Sequence, residues 1–419
     1  MGTAVTTDRL YVHYEAILVG ELWLDESSTF CFRYSDDWLE RDAWPISQTL
    51  PLPQHEFRGG PANTFFANLL PEGGVRSAVC RRLGISESND FSLLQAIGGD
   101  CAGALTIDRA HASSKRLEPS YERLTKKRLQ RLVDDDELVP LLVGGASNRL
   151  SLAGAQDKIP VALIDDELHL PLDSAPSTHI LKLPNRRYPQ LPTNEAFVMG
   201  LARRVGLQVA DSQLWTELAP SGLVVTRYDR HTTDGQTTRL HQEDFCQALG
   251  FPPSRKYEQE NGPTFASMIE LVRSQLTHPL VDVNRLLEWQ VFNVVVGNSD
   301  GHGKNLSVLY EGGHAVVAPF YDIVATRQYE SLDRKLALSV GGRRDPDQLH
   351  RAQWEQFAVD VGVGSRLVVA TVQRLVERVR HELTAWIAEF RSTYGRLSIL
   401  QTLPVSIDKR ARAILRRLG

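Results

Sequence analysis

The residues best suited to chemistry lie in the segment NVVVGNSDGHGKNLSVLY, a polar, glycine-rich loop between two apolar stretches. Asp300 and Asn305 stand five residues apart in this loop, in a D-x-x-x-x-N pattern. In the catalytic loop of protein kinases, an aspartate accepts the proton of the substrate hydroxyl and an asparagine at this spacing binds magnesium. The spacing therefore predicts phosphoryl transfer, with Asp300 as the base and Asn305 as a metal ligand.

A second carboxylate, Asp322 in APFYDIVAT, follows another apolar stretch, where a hairpin would return it to the first loop. Kinases carry a magnesium-binding aspartate at such a position, because metal ions neutralise the charge of the phosphoryl-transfer transition state. His302 and Lys304 place polar or positive groups beside that charge, and His302 is also a catalytic candidate. Together with Tyr321, both are predicted ATP contacts.

The same loop is compatible with two alternatives, and both stay open. Asn, Asp and Gly initiate tight turns for backbone reasons alone, so the segment taken by itself is also typical of a plain turn. Alternatively, Asp300, His302 and Asp322 provide carboxylate and imidazole ligands for a hydrolytic metal centre. The metal-centre alternative gives no role to a glycine-rich segment and a strand lysine that lie upstream.

The glycine-rich upstream segment, GGASNRLSLAGAQDKIPVALI, places small residues between two predicted strands. Backbone N–H groups in such a loop can approach phosphate closely. The segment matches neither G-x-G-x-x-G nor G-x-x-x-x-G-K-[ST], so an ordinary hairpin turn explains it equally well.

The strand lysine is Lys182 in HILKLP, inside an apolar predicted strand. A lysine at such a position needs a polar partner. Phosphate is one candidate, and Glu195 on the next predicted helix is another. A lysine at a sheet edge that extends its ammonium group into water is the simpler alternative.

The segment LHQEDF occupies the place where a kinase has the hinge that contacts adenine. Glu243 or its backbone is the predicted polar contact with the adenine edge, and Phe245 the predicted apolar one. An acidic helix N-terminus, in which Glu243 and Asp244 face the positive end of the helix dipole, accounts for the same residues.

The elements that must position these residues are a strand-rich region and a helical region after it. Alternating patterns predict strands within residues 10–34, with breaks at Gly20 and at the Asp25–Ser28 turn, and again within 149–183. Residues 194–207 have the spacing of an amphipathic helix. Beyond residue 243 the pattern is mainly helical, and an apolar stripe that includes Val372, Val376 and Val379 runs along a C-terminal helix. The charged stretch 115–137 predicts an exposed connector or solvated helix.

Length and composition exclude several classes of protein. A chain of 419 residues with 42% hydrophobic residues is long enough for more than one core. A formal net charge of −4 argues against a basic surface that binds nucleic acid or anionic lipid over its whole extent. The four cysteines lack the spacing of a disulfide framework or a zinc site. The sequence has no signal-peptide pattern and no apolar run of membrane-span length, which predicts a cytoplasmic protein without membrane contact.

Taken in order, these segments resemble the HipA family, the kinase toxins of HipBA toxin–antitoxin operons. SLAGAQDK and NSDGHGKN are the most specific matches, and FFANLLPEG, QEDFCQALG and YDI add to them. The resemblance implies an α+β, protein-kinase-like fold with two lobes, related to lipid kinases of the PI3K type. Its domains are predicted to be a small N-terminal α/β subdomain (1–110), a connector (111–145), a strand-rich ATP-binding lobe (146–245) and a helical C-terminal lobe (246–419).

The resemblance also implies roles for individual residues, with ATP and Mg²⁺ as cofactors. Lys182 becomes the ATP-binding lysine, and Ser151, with Ser147 as the alternative, becomes the site of inhibitory autophosphorylation. A phosphoserine adds about two negative charges beside the phosphate site and so repels ATP. The phosphate loop comprises Ala153, Gly154, Ala155, Gln156, Asp157 and Lys158.

The partners implied by the resemblance are a HipB-like helix-turn-helix antitoxin, operator DNA bound through the antitoxin complex, and a protein substrate. In the family the best-known substrate is glutamyl-tRNA synthetase, an aminoacyl-tRNA synthetase whose phosphorylation arrests growth and induces persistence. Two alternatives stay open, a small-molecule kinase of related fold and a non-catalytic operon co-repressor. Basic residues near the C-terminus could contact DNA phosphates, but a solvated helix face accounts for them more simply.

Overall fold

Strands are most frequent in the first part of the chain and helices in the second. A computed structural model describes residues 8–41, 43–111, 119–134, 157–172, 175–184, 187–188 and 190–419. The strands are β1 Arg9–Tyr14, β2 Ile17–Leu24, β3 Phe30–Tyr34, β4 Glu56–Arg58, β5 Leu105–Asp108, β6 Ser120–Arg123, β7 Lys158–Ile164, β8 Glu167–Leu172, β9 His179–Lys182, β10 Ser212–Trp215, β11 Gly222–Thr226, β12 Arg230–Thr233, β13 Gln236–Arg239, β14 His241–Asp244, β15 Ser307–Glu311 and β16 His314–Val317. The helices are α1 Asp36–Leu39, α2 Gly60–Ala67, α3 Gly73–Leu83, α4 Asp90–Ile97, α5 Lys126–Asp134, α6 Leu191–Arg204, α7 Phe245–Leu249, α8 Phe265–Gln275, α9 Pro279–Val296, α10 Arg351–Asp360, α11 Ser365–Tyr394 and α12 Leu403–Leu418.

The chain folds into two units, each built from segments that are separated in sequence. The first comprises Met1–Leu183, Arg227–Pro253 and Leu309–Glu311. The second comprises Pro184–Thr226, Ser254–Val308 and Gly312–Gly419. The domain boundaries predicted near residues 110, 145 and 245 stay a prediction.

An antiparallel sheet with the strand order β4-β3-β2-β1-β5 forms the start of the first unit. The predicted turn after β2 is present, and Asp25 Oδ1 accepts hydrogen bonds from the backbone N–H groups of Ser27 at 2.9 Å and Thr29 at 3.0 Å. The predicted break at Gly20 is wrong, because Gly20 lies inside β2 opposite Val12. A Cβ atom there would lie 2.3 Å from the carbonyl oxygen of Arg33, so the glycine permits close strand packing rather than a turn.

A second antiparallel group in the first unit has the order β6-β8-β7-β9. Three of these strands, β7, β8 and β9, confirm the alternating patterns KIPVALI, ELHLPL and HILK. The charged stretch 115–137 is more than a connector, since its described part contains strand β6, which pairs with β8, and helix α5. Its high charge reflects an exposed edge strand and an exposed helix face.

Buried charged side chains cross-link distant segments of the first unit. Asp100, Arg227, Asp229 and Arg230 are each at most 9% exposed. Arg230 Nη2 lies 3.0 Å from Asp100 Oδ1, and Arg227 Nη2 lies 2.7 Å from Asp229 Oδ2. The Ser177 hydroxyl accepts from Arg227 Nη1 at 2.9 Å and donates to Asp100 Oδ2 at 2.7 Å. Burial alone would raise the pKa of Asp100, but the adjacent guanidinium groups outweigh it and lower this pKa to about 2.

The second unit is mainly helical and packs around the long helix α11. Val372, Val376 and Val379 of the predicted apolar stripe are fully buried on this helix. Helix α6 confirms the amphipathic pattern predicted for residues 194–207, although it begins three residues earlier. Its Gly200 faces Trp386 of α11 so closely that a Cβ atom would lie 2.1 Å from the indole ring. The helices of this unit therefore interlock through large and small residues.

Within the described ranges, no helix has both the length and the apolar character needed to cross a lipid bilayer.

The buried charge cluster predicts a large effect of removing one charge. We expect Asp100→Asn to lower the free energy of unfolding by about 3–5 kcal/mol, because the buried Arg227 and Arg230 would lose one of the two carboxylates that neutralise them and would share Asp229. Guanidinium denaturation of matched samples measures the change.

Glu355→Gln is the matched control for this prediction. Glu355 pairs with Arg351 one helical turn away on an exposed surface, at 2.8 Å. Loss of such a pair changes the free energy of unfolding by less than about 0.5 kcal/mol. Equal effects of the two substitutions would contradict the cluster's predicted contribution to stability.

Candidate active site

The loop that carries Asp300 begins where helix α9 ends. Gly297 closes the helix in the left-handed region, with φ +76°, and a side chain there would be strained. The backbone N–H of Asn298 donates to the carbonyl of Asn293 at 2.9 Å, and the two side chains also pair at 2.9 Å. From helix α12, Arg410 Nε donates to the carbonyl of Val295 at 3.0 Å. These bonds fix the direction in which the chain leaves the helix.

Side-chain oxygens then hold the backbone around Asp300. The N–H of Asp300 donates to Asn298 Oδ1 at 3.0 Å, and the N–H of Ser299 donates to Thr326 Oγ1 at 2.7 Å. A Cβ atom on Gly301 would lie 3.2 Å from the Trp289 ring, which leaves little space beside this part of the loop. The loop is therefore an ordered structure with specific partners, not a bare turn.

Asn305 and Asp322 lie side by side, although a strand pair separates them in sequence. Asn305 Nδ2 donates to Asp322 Oδ2 at 3.1 Å, and Asn305 Oδ1 accepts from the N–H of His302 at 3.3 Å. Asp322 has a φ of +58°, in the left-handed region that non-glycine residues seldom adopt. Such strained backbone often accompanies functional sites. The structure thus brings the two predicted metal ligands together.

The side chains at this position fit magnesium. Mg²⁺ takes oxygen ligands in octahedral geometry at about 2.1 Å, which places neighbouring ligand atoms about 3 Å apart. Asn305 Nδ2 lies 3.1 Å from Asp322 Oδ2, so an amide and a carboxylate group, whose oxygens this cation accepts, are direct neighbours. In the described part of the chain, no group of three or more His, Cys, Asp or Glu side chains could hold a metal, so the hydrolytic alternative gains no support there.

Tyr321 connects the two halves of this site. Its hydroxyl donates to the backbone carbonyl of Lys304 at 2.8 Å and lies 2.8 Å from Ser307 Oγ. Lys304 and His302 are 7% and 5% exposed, respectively. The roles predicted for these three residues as ATP contacts stay a prediction, but all lie in the loop or next to Asp322.

Asp300 has a close neighbour that the sequence did not reveal. Its side chain is 53% exposed, and the hydroxyl of Tyr257 donates to Asp300 Oδ1 at 2.5 Å. The Tyr257 ring also meets the His302 ring edge to face, with centroids 4.9 Å apart. His302 Nε2 lies 3.9 Å from Asp300 Oδ1. Tyr257 therefore contacts both predicted catalytic side chains.

The predicted phosphate-binding lysines are neighbours in the first unit. Lys158 of β7 and Lys182 of β9 are register partners, so their side chains extend from the same face of the sheet. Lys182 is 6% exposed. Asp157 precedes β7, and its carbonyl accepts from the N–H of Leu183 at 2.9 Å. The remaining residues of the predicted loop, Ala153, Gly154, Ala155 and Gln156, lie outside the described residues. The two candidate serines, Ser151 and Ser147, also lie outside them.

Glu243 has a structural role that was not predicted. Its buried carboxylate accepts from Ser47 Oγ at 2.6 Å, from the N–H of Gln48 at 3.1 Å and from the hydroxyl of Tyr310 at 2.5 Å. Burial raises the pKa of Glu243 to about 7, although these donors oppose the shift. Contact of this residue or its backbone with adenine stays a prediction.

The residues after Glu243 begin a helix, as the alternative of an acidic helix N-terminus predicted. Asp244 is the N-terminal cap of α7, and its Oδ1 accepts from the N–H of Gln247 at 2.8 Å. Phe245 is fully buried. Its predicted contact with adenine stays a prediction, as does the pairing of Lys182 with Glu195, a buried residue of α6.

Comparison with known protein families assigns both parts of the chain. Residues 10–108 match the model of the HipA N-terminal domain, and residues 150–386 match that of the HipA-like C-terminal domain. The second match alone covers more than half of the sequence. The chain belongs to the HipA family. The resemblance inferred from the sequence motifs is therefore confirmed.

Curated relatives of the HipA family extend over nearly the whole chain. "Putative kinase Y4mE" from Sinorhizobium fredii is 38% identical over 98% of this chain and 99% of its own length. "Serine/threonine-protein kinase toxin HipA" from Shewanella oneidensis is 30% identical over 90% of this chain and 89% of its own length. These relatives identify a family of kinases.

A solved HipA structure confirms the fold class. The HipA chain of a Shewanella oneidensis complex of HipA, HipB and operator DNA superimposes with a TM-score of 0.85 at 28% identity. The match covers 97% of both chains. The α+β, kinase-like HipA fold predicted from the sequence is correct.

Sequence reasoning missed the residues that support the loop. Tyr257, Asn298 and Thr326 bond the loop, and Arg410 bonds the end of the helix before it; all four lie before or after the D-x-x-x-x-N pattern. Asn298 alone had a local signal, since asparagine two residues before an aspartate commonly accepts its N–H. The other contacts depend on tertiary packing.

The buried Glu243 carboxylate predicts a specific dependence of stability on pH. Its pKa is about 7 in the folded protein against an ordinary value of 4.5, so the folded state binds this proton more tightly. Its contribution to stability is therefore lost as the pH rises from 4.5 to 7. Relative to Glu243→Gln, we expect the wild-type free energy of unfolding to fall by about 3 kcal/mol over that range.

Urea denaturation at several pH values between 4.5 and 7 measures this difference. Glu355→Gln serves as the control, because the side chain of Glu355 is 43% exposed and its carboxylate is not buried. Parallel curves for the wild type and Glu243→Gln would show that folding does not raise the pKa of this carboxyl group and would contradict the prediction.

Proposed function

We propose that this HipA-family protein is a serine/threonine protein kinase that transfers the γ-phosphoryl group of ATP. Asp300 is the base, and Asn305 and Asp322 are the magnesium ligands. The observation that carries the proposal is the contact of Asn305, in the loop that also presents Asp300, with Asp322 from the segment after β16: Asn305 Nδ2 lies 3.1 Å from Asp322 Oδ2. Relatives that are named kinases support the reaction class.

In the proposed reaction, the oxygen of the acceptor hydroxyl bonds to the γ-phosphorus while Asp300 accepts the hydroxyl proton. The bond between that phosphorus and the bridging oxygen breaks, and ADP leaves. His302 and Lys304 supply polar and positive groups near the transferred phosphoryl group. Magnesium, when bound, neutralises charge on the phosphate oxygens.

The lysine pair of the first unit suits the remaining phosphates of ATP. Lys158 and Lys182 are register partners on neighbouring strands, so two positively charged side chains extend from one face of the sheet. Such a pair suits the negatively charged phosphates of ATP. We assign Lys182 as the ATP-binding lysine and Asp157 and Lys158 to the phosphate loop.

The acceptor is proposed to be a serine of a translation-related protein, such as the glutamyl-tRNA synthetase. Phosphorylation of this target would arrest growth and induce persistence. The relative named a serine/threonine-protein kinase toxin supports this class of activity. Since the reaction requires ATP and a translation protein, we place the chain in the cytoplasm.

The proposed partners are a HipB-like antitoxin and, through it, operator DNA. The similar HipA from Shewanella oneidensis was solved together with HipB and its operator DNA, which supports this assembly. We also propose that the kinase inactivates itself by phosphorylating Ser151 or Ser147, because the added charge would repel ATP.

Mass spectrometry of purified protein incubated with ATP and magnesium tests the proposed function. We expect phosphate on Ser151 or Ser147 of the wild type, and a rate of incorporation about 10²–10⁴-fold lower in Asp300→Asn, which lacks the base. Asp360→Asn is the matched control. This exposed residue of α10 accepts a hydrogen bond from Gln356 at 2.8 Å and should leave the rate unchanged.

Two outcomes would contradict the proposal. Equal labelling of the wild type and Asp300→Asn would remove Asp300 from the reaction. A wild type that binds ATP but transfers phosphate neither to itself nor to an aminoacyl-tRNA synthetase would favour a small-molecule kinase or a non-catalytic co-repressor.

A further inference from the structure

We propose that Tyr257 is a positioning residue for the phosphoryl transfer, which holds the Asp300 carboxylate in the orientation needed to accept the substrate proton. This inference rests on the proposed function of Asp300 as the base. No sequence motif pointed to Tyr257. It lies in the segment SRKYEQENG, well before the catalytic loop.

The contact to Asp300 is direct. The Tyr257 hydroxyl donates to Asp300 Oδ1 at 2.5 Å, a distance typical of hydrogen bonds to a charged acceptor. The N–H of Asp300 is bonded to Asn298 Oδ1, but that bond fixes only the backbone. A side chain that is 53% exposed can change rotamer unless another group holds it. Tyr257 supplies such a group.

Tyr257 is itself placed by the catalytic loop. Its ring meets the His302 ring at 86°, with centroids 4.9 Å apart. The neighbouring carbonyl of Lys256 accepts from the N–H of Gly303 at 3.2 Å. The segment and the loop therefore contact each other through both backbone and side chains, so the hydroxyl and the carboxylate keep their relative position.

The segment around Tyr257 is too constrained to act as a lid. The carbonyl of Tyr257 accepts from the N–H groups of Glu260 and Gly262, each at 3.0 Å. The carboxylate of Glu258 accepts from the N–H of Ser339 at 2.5 Å and from its hydroxyl at 2.7 Å. A Cβ atom on Gly262 would lie 2.0 Å from the carbonyl oxygen of Arg255, so the turn is tightly closed. A constrained donor favours a positioning role over a gating role.

The chemistry leaves room for both partners of Asp300. A carboxylate has two oxygens and about four lone-pair sites. Tyr257 occupies one of these sites on Oδ1 and keeps its proton, so its hydrogen bond is compatible with transfer of the acceptor hydroxyl's proton to another lone pair of the carboxylate. No bond to Tyr257 forms or breaks in the reaction.

Tyr257→Phe tests this role, because it removes the hydroxyl and keeps the ring beside His302. The maximal rates of self-phosphorylation and of ATP hydrolysis with Mg²⁺ should fall about 10- to 100-fold, as is common when a group that orients a functional ligand is lost. The ATP concentration that gives half the maximal rate, and the melting temperature, should not change. Tyr188→Phe is the control, since the Tyr188 hydroxyl is paired with Ser331 Oγ at 2.8 Å and should leave the rates unaltered.

A double variant separates positioning from general structural support. If Tyr257 acts through Asp300, Tyr257→Phe should cause no further loss in an Asp300→Asn background, because residues that act as a unit are not additive. An additional loss of 10-fold or more in that background would overturn the inference.

Three more results would also overturn it. The first is a Tyr257→Phe variant with wild-type rates. The second is a slower variant that also needs a higher ATP concentration to reach half its maximal rate. The third is phosphate on Tyr257 itself, which would make its hydroxyl an acceptor of the phosphoryl group. If the wild type shows neither self-phosphorylation nor ATP hydrolysis, the proposed function itself fails and the inference with it. The wild-type assay therefore distinguishes the two failures.

Discussion

The end of helix α9 is the constraint on which the candidate site depends. An α-helix leaves its last carbonyl groups without partners in the helix, and here Arg410 of α12 satisfies that of Val295. Gly297 then reverses the chain in a conformation that side chains seldom adopt. Thr326 accepts from the loop that follows and itself lies shortly after Asp322. One set of hydrogen bonds therefore holds both segments that carry the predicted base and the two predicted metal ligands.

A different interaction organises the first unit. The buried cluster joins Asp100, within the match to the HipA N-terminal domain, to Arg227 and Arg230, within the match to the C-terminal domain. Buried ion pairs add little net stability compared with apolar packing, but an unpaired member is costly. The cluster thus makes the two family segments depend on each other. The limits of a family model and the limits of a folding unit need not coincide.

Local patterns predicted the elements well where one physical rule dominated. The alternation in KIPVALI and ELHLPL arises because successive side chains of a strand point to opposite faces of the sheet. The apolar stripe on α11 arises because one side of that helix packs against its neighbours. The error at Gly20 has a clear cause. Glycine favours turns, but it also permits close approach of strands, and only the position of the Arg33 carbonyl decides between these roles. The acidic pair at Glu243 and Asp244 was ambiguous for the same reason, because burial and capping partners come from other segments.

The sequence by itself determined the family, the fold class and the residues that can do chemistry. Side-chain types and short spacings are local properties, so motifs such as D-x-x-x-x-N and SLAGAQDK can be recognised in the sequence without a structure. Only the tertiary structure decided that Asn305 lies next to Asp322, that Lys158 lies opposite Lys182 and that Tyr257 donates to Asp300. These contacts join residues far apart in the chain, and their distances depend on how helices and strands pack, which no local pattern encodes.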